Sequence, residues 1–326
     1  MPVPVLRQRY ETLAVALDYR LHLLLQSTER QEVEITAGGG ERQGDTVAFG
    51  WQRSFEMARA ALHYFGLRER VALHLTTEMP PRAGLAIHAA VIAAAVKGLA
   101  LWSGLKLNPP QVAAIAVEIA RAGGVEATPH IYASAFGGIH HLRYEPGREG
   151  RSARVKMDAL EEATPSLLER WGLLVLPPAA AIRGPIAPLW QSVRSAACRH
   201  RRNQRRVAAL QAAWSAGRAD EVAAIIGAIG GLDEAAFIDP PLLGTAYRMT
   251  RGEGVRGGFL VQDGIGCALL LLAPPEKHPA VRQRLQTLGV QIAPLRLARR
   301  SPRAFAVEPW RRKRPARRGF SAFIGS

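Results

Sequence analysis

The sequence predicts an α+β fold of two sub-domains, and two observations support that prediction. In each half of the chain, strand-like segments come first and helical segments follow, without a regular strand–helix–strand repeat. The chain has 326 residues, of which 48% are hydrophobic, so it is long enough and apolar enough to bury a sizeable core. We expect an N-terminal domain over residues 1–165, a C-terminal domain over 166–300 and a basic tail over 301–326.

The N-terminal half opens with two strands and continues with a helix. Alternating apolar and polar residues over 19–23 predict a half-buried strand, and residues 32–38 predict its neighbour. Apolar residues at helical spacing over 54–67 predict a helix, for which Gly66 is the C-cap. Alternation returns over 70–79, which predicts a further strand.

Two more helices and a hairpin complete this half. The alanine-rich run 86–102 predicts a buried helix, because the polar residues within it do not suit a membrane span. The next helix carries its own boundary signals: Asn108 is an N-cap residue, Pro109 suits the first helical position, and Gly123 ends the helix. The two strands of the hairpin are predicted over 137–146 and 152–158.

The second half follows the same plan. Residues 171–178 predict a buried strand, and residues 188–229 predict helical structure interrupted near Gly217. Residues 255–275 predict a second hairpin, whose turn is signalled by the Asp-Gly pair at 263–264. An amphipathic helix is predicted over 278–289 and a last strand over 290–298.

The net charge of +16 is concentrated near the end of the chain. From Arg296 onward there are ten basic residues and one acidic residue, which together supply about +9 of that charge. We expect the basic segment Arg311–Arg318 to bind a protein partner, and an anionic small molecule is a second candidate ligand. Nucleic acid is a less favoured partner, because aromatic residues are scarce and none lies in the other basic cluster, 194–206.

The cysteine pattern and the absence of a long apolar segment indicate a cytoplasmic protein. Cys198 and Cys267 lack the spacing of a metal or redox pair, so we expect two reduced thiols. No metal site is predicted from the sequence.

Three segments, in the same order along the chain, carry a family resemblance. They are PPRAGLAIHAA at 80–90, HIYASAFGGI at 130–139 and GVRGGFLVQDGIGCALLLLAPPEKH at 254–278. They resemble the phosphate loop, a second internal motif and the glycine-rich C-terminal motif of the GHMP small-molecule kinases. Within that superfamily, the resemblance is to the heptose-phosphate-kinase-like branch.

This resemblance implies a two-part fold and a set of site residues. The expected fold joins an N-terminal half like domain 2 of ribosomal protein S5 to a ferredoxin-like C-terminal half. ATP and magnesium are the cofactors if the protein is active. His130 stands at the position of the family's catalytic aspartate. The residues expected at the nucleotide are Gly84, Leu85, Ala86, Ile87 and His88 of the former phosphate loop, with Gly257, Gly258, Gly264 and Gly266.

The same segments differ from the family pattern at positions that bind phosphate in those kinases. Ala86 replaces a glycine whose backbone approaches phosphate, and Ile87 and His88 replace two serines that supply hydroxyl groups. Asp263 adds a negative charge to the glycine-rich turn. We therefore expect a degenerate relative, a pseudo-enzyme that serves as a binding subunit. The alternative is an active ATP-dependent sugar or sugar-phosphate kinase, or a phosphosugar transferase of this fold, with altered chemistry.

Overall fold

A computed structural model of the chain describes most of its residues. The described ranges are 10–29, 34–38, 44–79, 83–124, 128–145, 154–160, 165–178, 181–182, 205–230, 232, 240–262 and 266–305. The strands are β1 Tyr10–Val15, β2 Leu21–Ser27, β3 Glu34–Gly38, β4 Val71–Thr77, β5 Ile139–Glu145, β6 Arg154–Ala159, β7 Gly172–Leu176, β8 Gly257–Gln262, β9 Cys267–Leu272 and β10 Gln291–Pro294. The helices are α1 Gly44–Tyr64, α2 Ile87–Trp102, α3 Pro109–Ala122, α4 Thr128–Phe136, α5 Pro165–Trp171, α6 including 205–215, α7 Ala219–Gly230, α8 Pro241–Arg251 and α9 His278–Gln286.

One sheet of the N-terminal half has the order β2-β4-β3. Strand β4 lies in the middle, antiparallel to β2 and parallel to β3. The predicted pairing of residues 32–38 with the first strand is therefore wrong. Helix α1 is the reason, because it forms the crossover that a parallel pair requires and brings β3 and β4 side by side.

Helices α1 and α2 pack over this sheet, and α3 and α4 pack on these helices in the same apolar core. Leu73 and Leu75 of β4 are fully buried with Ile92 and Leu99 of α2, which confirms the buried helix predicted over 86–102. Alanines let the neighbouring helices approach α2 closely. The predicted start of α3 is also confirmed, since Asn108 and Gln111 form a reciprocal capping box there.

The C-terminal half is built on an antiparallel sheet of order β10-β7-β9-β8. The predicted hairpin is present as β8 and β9, while its turn, 263–265, lies outside the described residues. Gly217 has a positive φ of 66° between α6 and α7, as the interruption predicted there requires. The beginning of the predicted helical region, up to residue 204, lies outside the described residues.

A third sheet has the order β1-β5-β6, and the end of the described chain forms hydrogen bonds next to it. The predicted last strand ends as a sheet strand at Pro294, and residues 295–303, here named the return segment, then cross to the N-terminal half. There the Asp18 amide donates to the Arg296 carbonyl at 2.8 Å, and the Ala298 amide donates to the Ala16 carbonyl at 2.9 Å. The return segment therefore joins the two halves of the chain through backbone hydrogen bonds.

Three further expectations concern the cysteines, the membrane and the basic segment. Cys267 is a buried free thiol, while Cys198 lies outside the described residues. Among the helices that the structure describes, none combines the length and the apolar character needed to cross a bilayer. The predicted basic segment Arg311–Arg318 lies outside the described residues.

Gly137 provides a test of the contact between the return segment and α4. Its φ is +69°, and a Cβ there would lie 2.5 Å from the Arg300 carbonyl oxygen. Gly124 has almost the same φ, +70°, with nothing within 4 Å of an added Cβ. Both alanine variants suffer left-handed strain of about 1–2 kcal/mol, but Gly137→Ala adds a steric clash. We expect Gly137→Ala to lose at least about 2 kcal/mol more unfolding free energy than Gly124→Ala in urea titrations. Equal losses would show that the return segment does not press on Gly137.

Candidate functional site

The segment predicted as a phosphate loop lies between the two halves of the molecule. Ala83 is buried and Leu85 is half-buried, and both pack against Leu174, Leu176 and Ala268 of the C-terminal sheet. Residues 80–82 lie outside the described ranges. The apolar side chains at this position therefore attach the start of α2 to the C-terminal sheet.

Gly84 brings the loop into direct backbone contact with the glycine-rich C-terminal segment. It has a φ of +66°, and a Cβ there would lie 2.5 Å from the Gly266 carbonyl oxygen and 2.5 Å from the Cys267 Cα. Any larger residue would force the two segments apart. The structure thus places Gly84 and Gly266 together, whereas Gly264 lies outside the described residues.

At the start of α2, an alanine adopts a backbone conformation that glycine usually adopts. Ala86, the N-cap residue, has φ 53° and ψ 45°, a left-handed conformation that costs a non-glycine residue about 1–2 kcal/mol. Its side chain is buried, and the Ala89 amide donates to its carbonyl at 2.8 Å. The backbone has therefore kept a shape that would suit glycine better.

The side chains at this helix start do not match the needs of a nucleotide. His88 is only 5% exposed, and Ile87 packs against the N-terminal core. None of residues 85–88 carries a hydroxyl group that could donate to a phosphate oxygen or bind a metal ion. The described part of this turn therefore offers a triphosphate its backbone amides but no hydroxyl group.

Gly257 and Gly258 have a packing role in the structure. A Cβ at Gly257 would lie 1.9 Å from the Ala223 carbonyl oxygen of α7, and one at Gly258 would lie 3.0 Å from the Tyr247 ring. Gly257 begins β8 at the end far from Cys267, and five residues at about 3.3 Å place the two roughly 17 Å apart along the hairpin. These two glycines therefore do not lie beside Gly84, and their place in the structure is a helix–strand contact.

His130 lies on the surface of a large cleft, with a volume of about 1260 Å³. It is exposed in the first turn of α4, where helical spacing puts Ser134 and Gly137 on the same face. Leu85 also lines this cleft, whereas the other predicted loop residues are not among the described residues that line it. The structure thus brings His130 and Leu85 to one cavity.

The return segment contributes a set of arginines to the same cleft, which sequence reasoning missed. Arg296, Arg299, Arg300 and Arg303 all line it, together with Arg20 from the N-terminal half. The arginine-rich composition was visible in the sequence, but it was assigned to the end of the chain and not to a cavity. From the predicted tail, Ser301, Pro302, Arg303 and Phe305 also line the cleft.

Two acidic residues that line the cleft interact with nearby arginines, and one of them also binds the backbone of the return segment. Glu169 accepts the Leu297 amide at 3.0 Å with one carboxylate oxygen and pairs with Arg299 at 3.4 Å through the other. Asp18 lies 3.6 Å from the Arg20 guanidinium. The arginines outnumber these two acids, so the cleft favours anions.

Tyr19 lies at the edge of the cleft, beside the return segment. Its hydroxyl donates to the Pro294 carbonyl at 3.2 Å. Burial raises the pKa of the Tyr19 phenol, and the positive charge of Arg296 opposes that rise. The phenol is therefore a neutral hydrogen-bond donor that fixes the start of the return segment.

No metal centre accompanies these groups in the part of the chain that the structure describes. Within those ranges, no three histidine, cysteine, aspartate or glutamate side chains are grouped so that they could hold a metal ion.

Comparisons with known proteins identify the fold. Residues 53–138 match the model for the GHMP kinases N terminal domain, a range that includes the start of α2 and all of α4. None of the curated proteins has a sequence that matches the chain.

Solved structures extend the likeness over most of the chain. A D-glycero-D-manno-heptose 1-phosphate kinase from Bacteriodes thetaiotaomicron is 15% identical, with a TM-score of 0.65, over 89% of this chain and 88% of its own. The mevalonate kinase of L. major in complex with R-mevalonate is 14% identical, with a TM-score of 0.65, over 89% and 90% of the two chains. The phosphomevalonate kinase of Streptococcus pneumoniae is 12% identical, with a TM-score of 0.65, over 90% and 94%.

Identities this low show a shared fold and leave the activity to the site itself. The chain is therefore similar to the GHMP kinases over residues 53–138, and the chain as a whole has the α+β fold of the GHMP kinases.

Proposed function

We propose that this protein is a pseudo-enzyme of the GHMP-kinase fold, which binds a ligand or a partner and does not transfer phosphate from ATP. The observation that carries the proposal is the start of α2. Ala86 holds a strained left-handed conformation with its side chain buried, and the following residues provide no hydroxyl groups. The backbone of a phosphate loop remains, but side chains that would bind the triphosphate and its metal are absent from this turn.

The residue at the family's catalytic position supports the same proposal. An aspartate there would orient the hydroxyl group of the acceptor and offset nearby positive charge, whereas a neutral histidine at His130 does neither. Loss of one oriented polar group in an active site costs about 2.7–4 kcal/mol of transition-state stabilisation. Several such losses in one cleft would remove most of the rate acceleration that positioning supplies.

A second candidate function is an ATP-dependent sugar or sugar-phosphate kinase, or a phosphosugar transferase of this fold, with altered chemistry. The placement of His130 favours it, since this exposed histidine lines the cleft on the same face of α4 as Ser134. The ordinary pKa of histidine is close to neutrality, so His130 could accept a proton from a sugar hydroxyl. The solved neighbours include a D-glycero-D-manno-heptose 1-phosphate kinase and a mevalonate kinase in complex with R-mevalonate.

Calorimetric titration with ATP and magnesium distinguishes the two candidates. We expect no saturable binding up to millimolar ATP for the native protein, because the start of α2 does not offer the donors that a triphosphate needs. ADP and ATP without magnesium serve as controls. Saturable binding of magnesium-ATP, together with phosphate transfer that is lost in His130→Ala, would establish the kinase and contradict our proposal.

The strain at Ala86 gives a separate test of the claim that the loop keeps its structural role. Ala86→Gly removes the left-handed penalty, so we expect it to raise the free energy of unfolding by up to about 1 kcal/mol. The matched control is Ala90→Gly in the body of α2, which should lower it by about 1 kcal/mol. Chemical denaturation measures both. A destabilising Ala86→Gly would mean that the loop does not hold this conformation in solution.

The basic segment Arg311–Arg318 is proposed to be the part of the chain that binds a protein partner, on the basis of its sequence alone. Removal of residues 306–326 should leave the thermal unfolding temperature unchanged and abolish salt-sensitive association with an acidic partner protein. Association that survives the deletion would contradict the proposal. Loss of binding to RNA instead would assign the segment to nucleic acid.

A further inference from the structure

Strand β2 is a sheet edge at which, among the described residues, no further strand is paired. It lies at one end of the order β2-β4-β3, and its seven residues, Leu21–Ser27, pair with β4 in one unbroken register. The strand contains no lysine, arginine, aspartate, glutamate or proline, which are the residues that prevent pairing at the edges of natural sheets. The sequence of β2 therefore leaves this edge open to another strand.

The other edge strands that the structure describes differ from β2. Strands β1, β3 and β6 each carry at least one charged residue. Strand β10 has four residues and ends at Pro294. Strand β8 is uncharged, but all of its residues are buried or half-buried, and Gly257 packs closely against α7. Within the described ranges, β2 is thus the edge strand that is at once long, uncharged and exposed.

The hydrogen bonds between β2 and β4 show which peptide groups of β2 face the open edge. The Thr28 amide donates to the Arg70 carbonyl at 3.1 Å, and the register pairs these two residues directly, so the even-numbered residues bond to β4. In an antiparallel pair, such residues alternate with residues whose peptide groups point the other way. The amide and carbonyl groups of Leu21, Leu23 and Leu25 therefore point away from β4, towards the edge.

The side chains of β2 divide between the two faces of the sheet. Those of the odd-numbered leucines are half-buried against the N-terminal core, while Leu24 is 53% exposed on the opposite face, between the exposed His22 and Gln26. One exposed leucine is ordinary on a protein surface. Here, however, it stands at the centre of an unpaired strand, so a strand added to this edge would cover its side chain as well as the free peptide groups.

Strand β2 is complementary to a second copy of itself. A two-fold axis at Leu24 sets this residue opposite Leu24 of the second copy, and sets Leu23 opposite Leu25 of the second copy. The Leu23–Leu25 pairs have their peptide groups at the edge, so they exchange backbone hydrogen bonds. The Leu24 pair is then of the type without hydrogen bonds, in which opposite side chains approach most closely. The most exposed apolar residue of the strand thus meets its own copy.

The charges around this axis are compatible with self-pairing. In the same register, His22 lies opposite Gln26 of the second copy, and Arg20 lies opposite Thr28 of the second copy. No two like charges are opposed, although the chain as a whole has a net charge of +16. Because the repulsion between two such chains acts at long range, it falls as salt screens it, whereas hydrogen bonds and leucine contacts at the axis do not depend on salt in this way.

We propose that two copies of this chain associate through antiparallel pairing of their β2 strands about Leu24. The three-stranded sheets of the two copies would form one continuous sheet. Leu21 lines the large cleft, and the register places Ser27 of the second copy beside it, so the dimer adds residues at the edge of that cleft. This proposal goes beyond the proposed function and does not depend on it.

Sedimentation velocity of the full chain tests the association. We expect a monomer–dimer equilibrium with a dissociation constant on the order of 10 μM, since a strand pair forms a small interface. Raising sodium chloride from about 50 to about 500 mM should strengthen the dimer, because salt screens the repulsion between two basic chains. A monomer at all concentrations up to about 200 μM, a concentration at which an interface of this strength would be occupied, would overturn the proposal. Association that weakens with salt would also overturn it.

Charged variants of Leu24 test the two-fold register. Leu24→Lys and Leu24→Glu should each weaken the dimer at least about tenfold, because each sets two like charges directly opposite one another. An equimolar mixture of the two variants should dimerise again, since lysine then lies opposite glutamate. The matched control is Thr76→Lys, an exposed position on the same face of the central strand β4, which should dimerise as the native chain does.

Circular dichroism and thermal unfolding show whether each variant is folded, and recovery in the mixture confirms it independently. Dimerisation that neither Leu24 variant weakens would place the interface elsewhere. A mixture that stays monomeric would mean that Leu24 does not face its own copy. Either result contradicts the proposal.

Hydrogen exchange at single-residue resolution tests the edge itself. At about 1 μM, where the monomer predominates, the Leu23 and Leu25 amides should exchange rapidly, and their protection should rise about tenfold or more when the dimer is populated. The Leu24 amide faces β4 and should be protected at both concentrations. Protection of Leu23 and Leu25 already in the monomer would show that another part of the chain covers the edge, which would overturn the proposal.

These outcomes are distinct from those that test the proposed function. Binding of magnesium-ATP by a chain that dimerises through β2 would contradict the pseudo-enzyme and keep the dimer. Removal of residues 306–326 should leave the dimer intact. Loss of the dimer in that variant would assign self-association to the basic tail and contradict pairing through β2.

Discussion

The hydrogen bonds between the return segment and the N-terminal strands are the interaction on which the rest of the molecule depends. Peptide groups of Asp18 and Ala16 bond to those of Arg296 and Ala298, and Gly138 bonds to the same segment. Buried peptide groups need hydrogen-bond partners, as they do within a sheet. These hydrogen bonds therefore fix the end of the described chain. Because of this contact, one cleft has walls from both ends of the sequence.

The contact between Gly84 and the Gly266–Cys267 backbone joins the halves a second time. In both places a glycine with positive φ meets the backbone of a distant segment, Gly84 at Cys267 and Gly137 at Arg300. No side chain fits at either point, so the approach of the two halves is limited by backbone atoms alone. The packing of the loop before α2 therefore depends on Gly84, Ala86 and the apolar neighbours.

The cleft is lined by both charged and apolar groups. Arginines of the return segment line it, and so do apolar side chains of α6, α7 and β8. Glu169 combines the structural and electrostatic roles, because its carboxylate accepts a backbone amide of the return segment and pairs with Arg299. The segment that closes the fold therefore also supplies much of the charge that lines the cleft.

Much of the fold could be predicted from local sequence patterns. Strong helix signals such as Asn108, Pro109 and the alanine run of α2 act within a few residues of one another, so they were recognisable without tertiary information. The pairing of β3 was not, because strand neighbours are chosen by the crossover helix and not by the strand itself. The apolar pattern also did not predict the start of α1, which lies at Gly44, ten residues before the predicted start at residue 54.

The sequence by itself determined the α+β class, the helix over 86–102, the start of α3 at Asn108 and the absence of hydroxyl groups at 85–88, since these follow from residue type and spacing along one segment. Only the tertiary structure decided that Ala86 is left-handed, that Gly257 packs against α7 and that Arg296, Arg300 and Arg303 share a cleft with His130. The physical reason is distance along the chain: these facts depend on contacts between segments that lie tens to hundreds of residues apart, and no local pattern encodes which of them will meet.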